Sequence, residues 1–358
     1  MIFDPILDIF RGKAVTIPPM DGAIKPNTAL DDAEAALETQ QPDNLCAYRG
    51  GFIYSSANKV FAIEGNANSK EIGSFDEAVT ALAVSPSGDI AIGLDNGEIG
   101  IMKSGGGTVE IKAPGGLPCP TALAFGASGE LYVAEGSAQH RASDWVVDLM
   151  SAGSSGSVWR IDLASGNAQS LAQDLAFPYG VLAPKDGRNL VVAESWRHRL
   201  VGIGGNGALE PILSKLPGYP ARLSPAADGG AWLALFAPRN RLIEFVLLEK
   251  AYRTDMISEV PREHWIAPSL SSESSFLEPL QCGGVKTMGI HKPWSPSRSY
   301  GLAVKLDAKL QPEASFHSRA NGRRHGVTAV AESGGRVFAV SRGGGVILDV
   351  SVASKARG

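Results

Sequence analysis

No stretch of the 358 residues approaches the ~18 consecutive apolar positions that a membrane-spanning helix requires, so no span is expected. The opening residues MIFDPILDIFRGKAV have no basic start, and Asp4 and Asp8 break their apolar run. A secretory leader needs a basic start and an unbroken core of roughly 7–15 apolar residues, so none is expected. Cysteine is scarce: Cys46, Cys119 and Cys282 are scattered and odd in number. They form neither a disulfide framework nor a zinc-ligand spacing, and a reducing, cytoplasmic setting is the expectation. An excess of one charge is lacking too, since 33 Lys+Arg against 37 Asp+Glu leave a formal charge of −4. Such a chain offers no strong field for a polyanion, so a small molecule is the expected partner rather than nucleic acid or a membrane.

Glycine, by contrast, is abundant. Its 42 copies are about 12% of the chain against a typical ~7%, and together with 22 prolines they predict many turns and short strands. The turns recur in a pattern. Residues 79–94 read VTALAVSPSGDIAIGL and 120–135 read PTALAFGASGELYVAE; 178–194, 220–235 and 326–340 repeat the theme, with a weaker copy at 43–56. Each copy is an alternating apolar strand, a Gly-centred turn and a second such strand, which predicts half-buried β-hairpins. Further short strands follow, such as EIGIMK and TVEIKA after the second copy and RLVGIG and LEPIL after the fourth. Six hairpin pairs make six four-stranded antiparallel sheets, and the fold class expected is all-β, a single six-bladed β-propeller. The last repeat runs out one strand short at GVILDV. The N-terminal segment near Lys13–Ile17 is expected to supply that strand and cover the open edge.

Two insertions interrupt the repeats, at 136–156 in the third blade and 247–299 in the fifth. Long connections in compact folds are uncommon and often functional, so both are expected to lie over one face as lids. In the first, Trp145, Val146, Leu149 and Met150 fall at helical spacing and predict a short helix, either a lid or a cap on its blade.

The stretch RASDWVVDLMSAGSSGSVWRIDLASGNAQSLAQDLAFPYGVLAPKDGRNLVVAESWRHRLVGI, followed by LPGYPARLSPAADGGAWLAL, resembles strictosidine synthase-like proteins. These sit in the wider group of six-bladed propellers with gluconolactonases, senescence-marker lactonases and paraoxonases, and the likeness runs over roughly residues 40 to 350. It implies the fold, and it implies either calcium-dependent hydrolysis of lactones and esters or a metal-free joining of an amine to an aldehyde. In the hydrolases a tunnel calcium is held by Glu, Asn and Asp at the starts of inner strands, a hard ion seeking six to eight oxygens. The corresponding residues here are Asp43 with Asn44, then Thr121-Ala122, Phe177-Pro178-Tyr179-Gly180 and Gly218-Tyr219-Pro220-Ala221-Arg222. Thr121, Tyr179, Ala221 and Arg222 disfavour calcium, and Arg222 sets a fixed cation where the ion would sit, leaving Asp43 as the one remaining metal candidate. The synthase's catalytic acid corresponds to Ala329, with Glu332 displaced to the opposite face.

Inner-strand starts and second-strand ends open on one face of a propeller, and reading them off gives the candidate site. Expected catalytic residues are His325 as general base, Tyr179 as a donor to a carbonyl or oxyanion, and Glu194. Expected substrate-binding residues are Arg222, Thr121, Glu135, Trp196, Arg239, Trp145 and His140. Each has a plainer reading: His325 as a strand cap, Tyr179 as a plug, Arg222 in an internal salt bridge with Asp43, and the two glutamates bonded into blade-top loops. The run WRHRL at 196–200 reads as a solvated turn, with Arg197 and Arg199 on one side and His198 on the other. The expected function is metal-free hydrolysis of an ester or lactone. The alternatives are synthase-like carbon–nitrogen or carbon–carbon chemistry and a ligand-binding propeller without catalysis.

Overall fold

The computed structural model describes residues 17–64, 68–111, 116–185, 189–205, 207–272, 277–278, 286–287, 290–291 and 297–351. Its strands form six four-stranded antiparallel sheets and one two-stranded ribbon. The innermost strands are Pro42–Tyr48, Val79–Val84, Pro120–Phe125, Pro178–Leu182, Gly218–Pro225 and Val327–Ser333 for blades 1 to 6. These six touch one another in order, and the sixth returns to the first, so they surround a central tunnel. The six-bladed propeller is thereby established.

The ring closes with the N-terminal region, but not at the expected place. The outermost strand of blade 6 is Glu34–Glu38, which pairs antiparallel with Val346–Asp349 in a register that includes Glu34 opposite Asp349. Residues 13–16 lie outside the described residues, and Ile17 is not in a strand. The closing strand was missed because EAALE exposes four of its five residues and carries no strong strand pattern. A second correction concerns burial. The hairpins are not half-buried throughout, because blades pack face to face and bury their second strands on both sides. Ile90–Leu94 (IAIGL) and Leu190–Glu194 (LVVAE) are buried at every position, whereas the outer strand Lys70–Ser74 is buried at none. Close packing of blade on blade also explains Gly180: a Cβ there would collide with the carbonyl oxygen of Ala221 on the next inner strand.

Both insertions leave from the face where the inner strands begin, called here the mouth. The first separates Glu130–Glu135 from Gly156–Asp162 and contains the expected helix, α1 (Trp145–Met150). The second starts at Arg239 rather than at 247, directly after the strand Ala231–Pro238. It contains α2 (Arg241–Leu248), whose first turn is capped by the Asn240 side chain accepting from the Leu242 N–H at 2.9 Å, and α3 (Lys250–Glu259). Much of this insertion, including Cys282, lies outside the described residues; Cys46 and Cys119 are free thiols.

Glu244 fixes α2 to the propeller. Arg239 donates to it through Nε and Nη2 at 3.0 and 2.9 Å, and His198 Nε2 lies 3.3 Å away. Burial pushes this carboxyl up, but His198 and Arg239 more than offset it and bring it down to about 2. A carboxylate depressed in the folded state stabilises above its ordinary pKa of 4.5 and loses that contribution as pH falls toward 2. The depression corresponds to about 3 kcal/mol at neutral pH. In thermal melts Glu244→Gln should be less stable than the wild type at pH 7, with the gap closing between pH 5 and pH 2. Parallel curves across that range would show that Glu244 does not anchor the insertion electrostatically.

Candidate functional site

Every inner strand carries an irregularity within its first residues. The pairing with the second strand skips Asn44, Thr80, Thr121, Tyr179, the pair Ala221 and Arg222, and Thr328. A bulge leaves a residue unpaired and re-aims its side chain, so six bulges at one level build a ring of special positions around the tunnel. Five of the six blades place an oxygen-bearing side chain there, and the fifth blade places Arg222.

Arg222 bridges the tunnel. From blade 5 its guanidinium donates to Asp43 Oδ1 of blade 1 at 2.7 Å, to the Thr80 carbonyl of blade 2 at 2.6 Å, and to the Thr328 carbonyl of blade 6 at 3.5 Å. Its carbon Cζ lies 5.0 Å from the centre of the Tyr179 ring of blade 4, a cation–π contact. Asp43 is buried and fully occupied. Oδ1 also accepts from the Thr328 hydroxyl at 2.7 Å and from the Asn44 N–H at 2.8 Å, and Oδ2 accepts from Arg342 Nη1 at 2.8 Å. Burial alone raises the Asp43 carboxyl, but Arg222 and Arg342, with the hydroxyl and the N–H, hold it below the usual carboxylate range. Burial and the Asp43 charge push the Tyr179 phenol up, so it stays a protonated donor. The two guanidiniums share Asp43, and the buried Asp95 carboxylate also acts on Arg342. Three buried polar atoms in it, Asn44 Oδ1, Thr80 Oγ1 and Arg222 Nε, have no hydrogen-bond partner.

An aromatic wall joins this cluster to the first insertion. Trp145 of α1 meets Phe236 edge-on at 5.2 Å and lies 6.3 Å from Trp196; Phe236 meets Tyr179 at 5.6 Å. Trp196 stacks on Phe177 at 4.4 Å, and its indole N–H donates to Asp148 Oδ1 of α1 at 2.7 Å.

Of the residues expected at the site, Asp43, Tyr179 and Arg222 converge, and the salt bridge between Asp43 and Arg222 forms. Trp145 and Trp196 stand in the wall beside them. The others are engaged elsewhere. Thr121 directs its hydroxyl to the carbonyls of Ala134 and Pro178 at 3.0 and 2.5 Å, tying blade 3 to blade 4. Glu194 accepts from Arg197, from Arg199 Nε at 2.5 Å and from the Ala176 N–H at 2.8 Å, which fixes a blade-top loop. Glu135 takes the Ser157 hydroxyl at 2.5 Å, and burial pushes its carboxyl up. Arg239 is committed to Glu244, and the backbone N–H of His140 is held by Ser137 Oγ at 3.2 Å. His325 is buried, with Nε2 facing the Arg319 carbonyl at 2.8 Å and Nδ1 facing Ser299 Oγ at 2.7 Å. Because a carbonyl only accepts, Nε2 carries a proton, and in the neutral ring Nδ1 accepts from Ser299. A role as base would require Ser299 to give up that bond. The turn at 196–200 is only partly solvated: Arg197 and Arg199 share Glu194, while His198 is buried against Tyr219 with ring centres 4.5 Å apart.

The residues present do not fit the calcium ion implied by the fold family. Both Asp43 oxygens already face guanidinium groups, and Arg222 holds the axis that a cation would need. Among the described residues no group of three or more His, Cys, Asp or Glu side chains gathers as a metal site. No described helix is long and apolar enough to cross a membrane.

Sequence reasoning missed Arg342 and Thr80. The signal for Arg342 was present: it follows the second strand Arg336–Ser341 of blade 6, the kind of position that yielded Glu135, Glu194 and Arg239 from blades 3 to 5. Extending the same reading to blade 2 gives Asp95, which accepts from the Ser143 N–H and hydroxyl at 2.9 and 2.7 Å beside α1.

Comparison with known proteins bears out the resemblance. Residues 123–201 match the sequence model of the family described as Strictosidine synthase. The adipocyte plasma membrane-associated protein of Danio rerio is 26% identical over 307 residues, covering 77% of this chain and 74% of that protein. Among solved structures, regucalcin from Agrobacterium tumefaciens, described as a calcium-binding protein, superposes with a TM-score of 0.55 at 11% identity, covering 88% of this chain and 93% of that one. A luciferin-regenerating enzyme gives a TM-score of 0.53 at 12% identity, over 88% and 92% of the two chains. The protein is therefore a six-bladed propeller, similar in sequence over residues 123–201 to the Strictosidine synthase family and in fold to regucalcin, with arginine at the tunnel axis.

Proposed function

We propose that the tunnel mouth is a metal-free active site that hydrolyses an ester or lactone. The observation that carries this reading is the convergence of two guanidiniums on a single buried carboxylate, with the Tyr179 ring packed 5.0 Å from one of them. The hydrolase class draws support from the related propellers, and the residues supply the means. Arg342 keeps 35% of its side chain exposed and so has an edge free to meet the substrate carbonyl. As water adds to that carbon, the oxygen gains negative charge, which Arg342 and the Tyr179 hydroxyl stabilise. Collapse expels the alkoxide, which takes the proton that the water loses. Asp43 is held too acidic to be a strong base, so it orients the two arginines, and electrostatic stabilisation supplies most of the rate.

Purified protein assayed on aryl esters and lactones, with and without excess chelator, tests this. Turnover should resist chelation, and Arg342→Gln should lower kcat/KM by about 10²–10³-fold in protein that circular dichroism shows to be folded. Turnover abolished by chelator, or unaffected in Arg342→Gln, would overturn it. A second reading is favoured by one observation: the oxygens of Asp43 and the nitrogens of His325 are all engaged, so neither offers a ready proton acceptor. On that reading the propeller binds an anionic ligand without consuming it. An unconsumed carboxylate would then raise Tm while every ester and lactone stayed intact.

A further inference from the structure

The tunnel has a second chamber, on the side of Arg222 away from the mouth. It is a cavity of about 410 Å³ lined by the later residues of the inner strands, among them Leu45, Leu82, Val84, Ala124, Leu182 and Ala331. Its walls are apolar, and polar groups such as Lys185, Asn189 and Glu332 come from the ends and turns of those strands. Arg222 also lines it. That side chain is 9% exposed, and its Nε–H has no acceptor. The volume falls within the range of small-molecule sites, roughly 300–1,000 Å³.

An apolar chamber lined at one end by a buried guanidinium with an unsatisfied N–H has a defined chemical complement. We propose that this chamber binds an amphipathic monocarboxylate, a medium-chain alkyl acid, with its carboxylate at Arg222 and its chain extending toward the far face. The carboxylate accepts the free Nε–H of Arg222 in a charge-assisted hydrogen bond. The alkyl chain lies along the strand segments from Asp43 to Ala47, about 13 Å at ~3.3 Å per residue, and removes apolar wall from water. The site is separate from the mouth and stands whether or not the mouth is catalytic.

Calorimetric titration of the full chain with decanoate, below its aggregation concentration, tests the proposal against 1-decanol and acetate. Decanoate should bind, and each of the others should bind about tenfold or more weakly, because one lacks the charge and the other the chain. Ala47 is exposed on the far side, and Ala124 lines the chamber half-buried. Ala47→Trp and Ala124→Phe should each weaken decanoate binding about tenfold or more without changing activity at the mouth. Two variants guard against one failing to fold, and the decanol comparison needs neither. Absence of decanoate binding, equal affinity for 1-decanol, or unchanged affinity in the folded variants would each overturn the assignment. The last of these would place the ligand at the mouth on Arg342.

Discussion

Asp43→Asn should destabilise the propeller by about 3–5 kcal/mol, the range for breaking a buried ion pair by removing one partner. Asn has nearly the same shape and can still accept from the Thr328 hydroxyl and the Asn44 N–H through its one carbonyl oxygen. Its amide nitrogen, however, would face Arg342 or Arg222 donor to donor. Two guanidiniums would then share a poorly solvated space with no anion between them. Removing one of those cations should relieve the strain, so Asp43→Asn combined with Arg222→Met should cost less than the sum of the two single changes. Chemical denaturation of the four proteins measures this directly. A single-variant cost below about 1 kcal/mol, or strict additivity in the cycle, would show that the cluster does not hold the blades together. The same linkage sets the acid response. Because the Asp43 pKa is depressed, its contribution is complete above the ordinary carboxylate pKa and is lost only as pH falls through the depressed value.

The fold was legible because repetition was legible. Six copies of strand, Gly-centred turn and strand needed only the period of two and the turn chemistry to be read, and each became a blade. The closing strand was not legible, since Glu34–Glu38 is an exposed edge element whose pairing partner lies more than three hundred residues away. Half of the site was readable by the same means. Asp43, Tyr179 and Arg222 were found because a propeller opens its inner-strand starts on one face. What could not be read was which mouth-level groups would be consumed by structure. Glu194 and Arg239 look like free charges in sequence, yet Arg199 and Glu244 lie within five residues of them and claim them. The bulges were hidden for a related reason. Skipping one residue in the pairing leaves the alternation on either side intact, so the local pattern does not mark which residue is re-aimed.

Trp196→Ala should be the most damaging change outside the tunnel axis, at about 4 kcal/mol, because it removes the contact hub between the first insertion and blades 4 and 5. The indole stacks on Phe177 and also meets Tyr219 edge-on at 5.9 Å and Phe236 at 6.3 Å. Its N–H satisfies Oδ1 of Asp148, a buried residue whose Oδ2 has no partner. Truncation therefore empties an aromatic cavity and removes a donor from a buried carboxylate at once. The two losses can be separated. Trp196→Phe keeps a ring for Phe177 but loses the donor and part of the indole's volume, so it should cost about 2 kcal/mol, within the range for an unsatisfied buried polar group. Both variants should speed amide hydrogen exchange across Trp145–Met150 more than in the distant blade 2 strands, since α1 has lost its tie to the ring. Equal costs for the two variants would assign the whole effect to the hydrogen bond and the lost part of the indole. Faster exchange spread evenly over all blades would mean that α1 is not separately anchored. Local loosening of α1, on the other hand, moves the Trp145 and Phe236 wall beside Tyr179, and so couples the stability of the insertion to the geometry of the mouth.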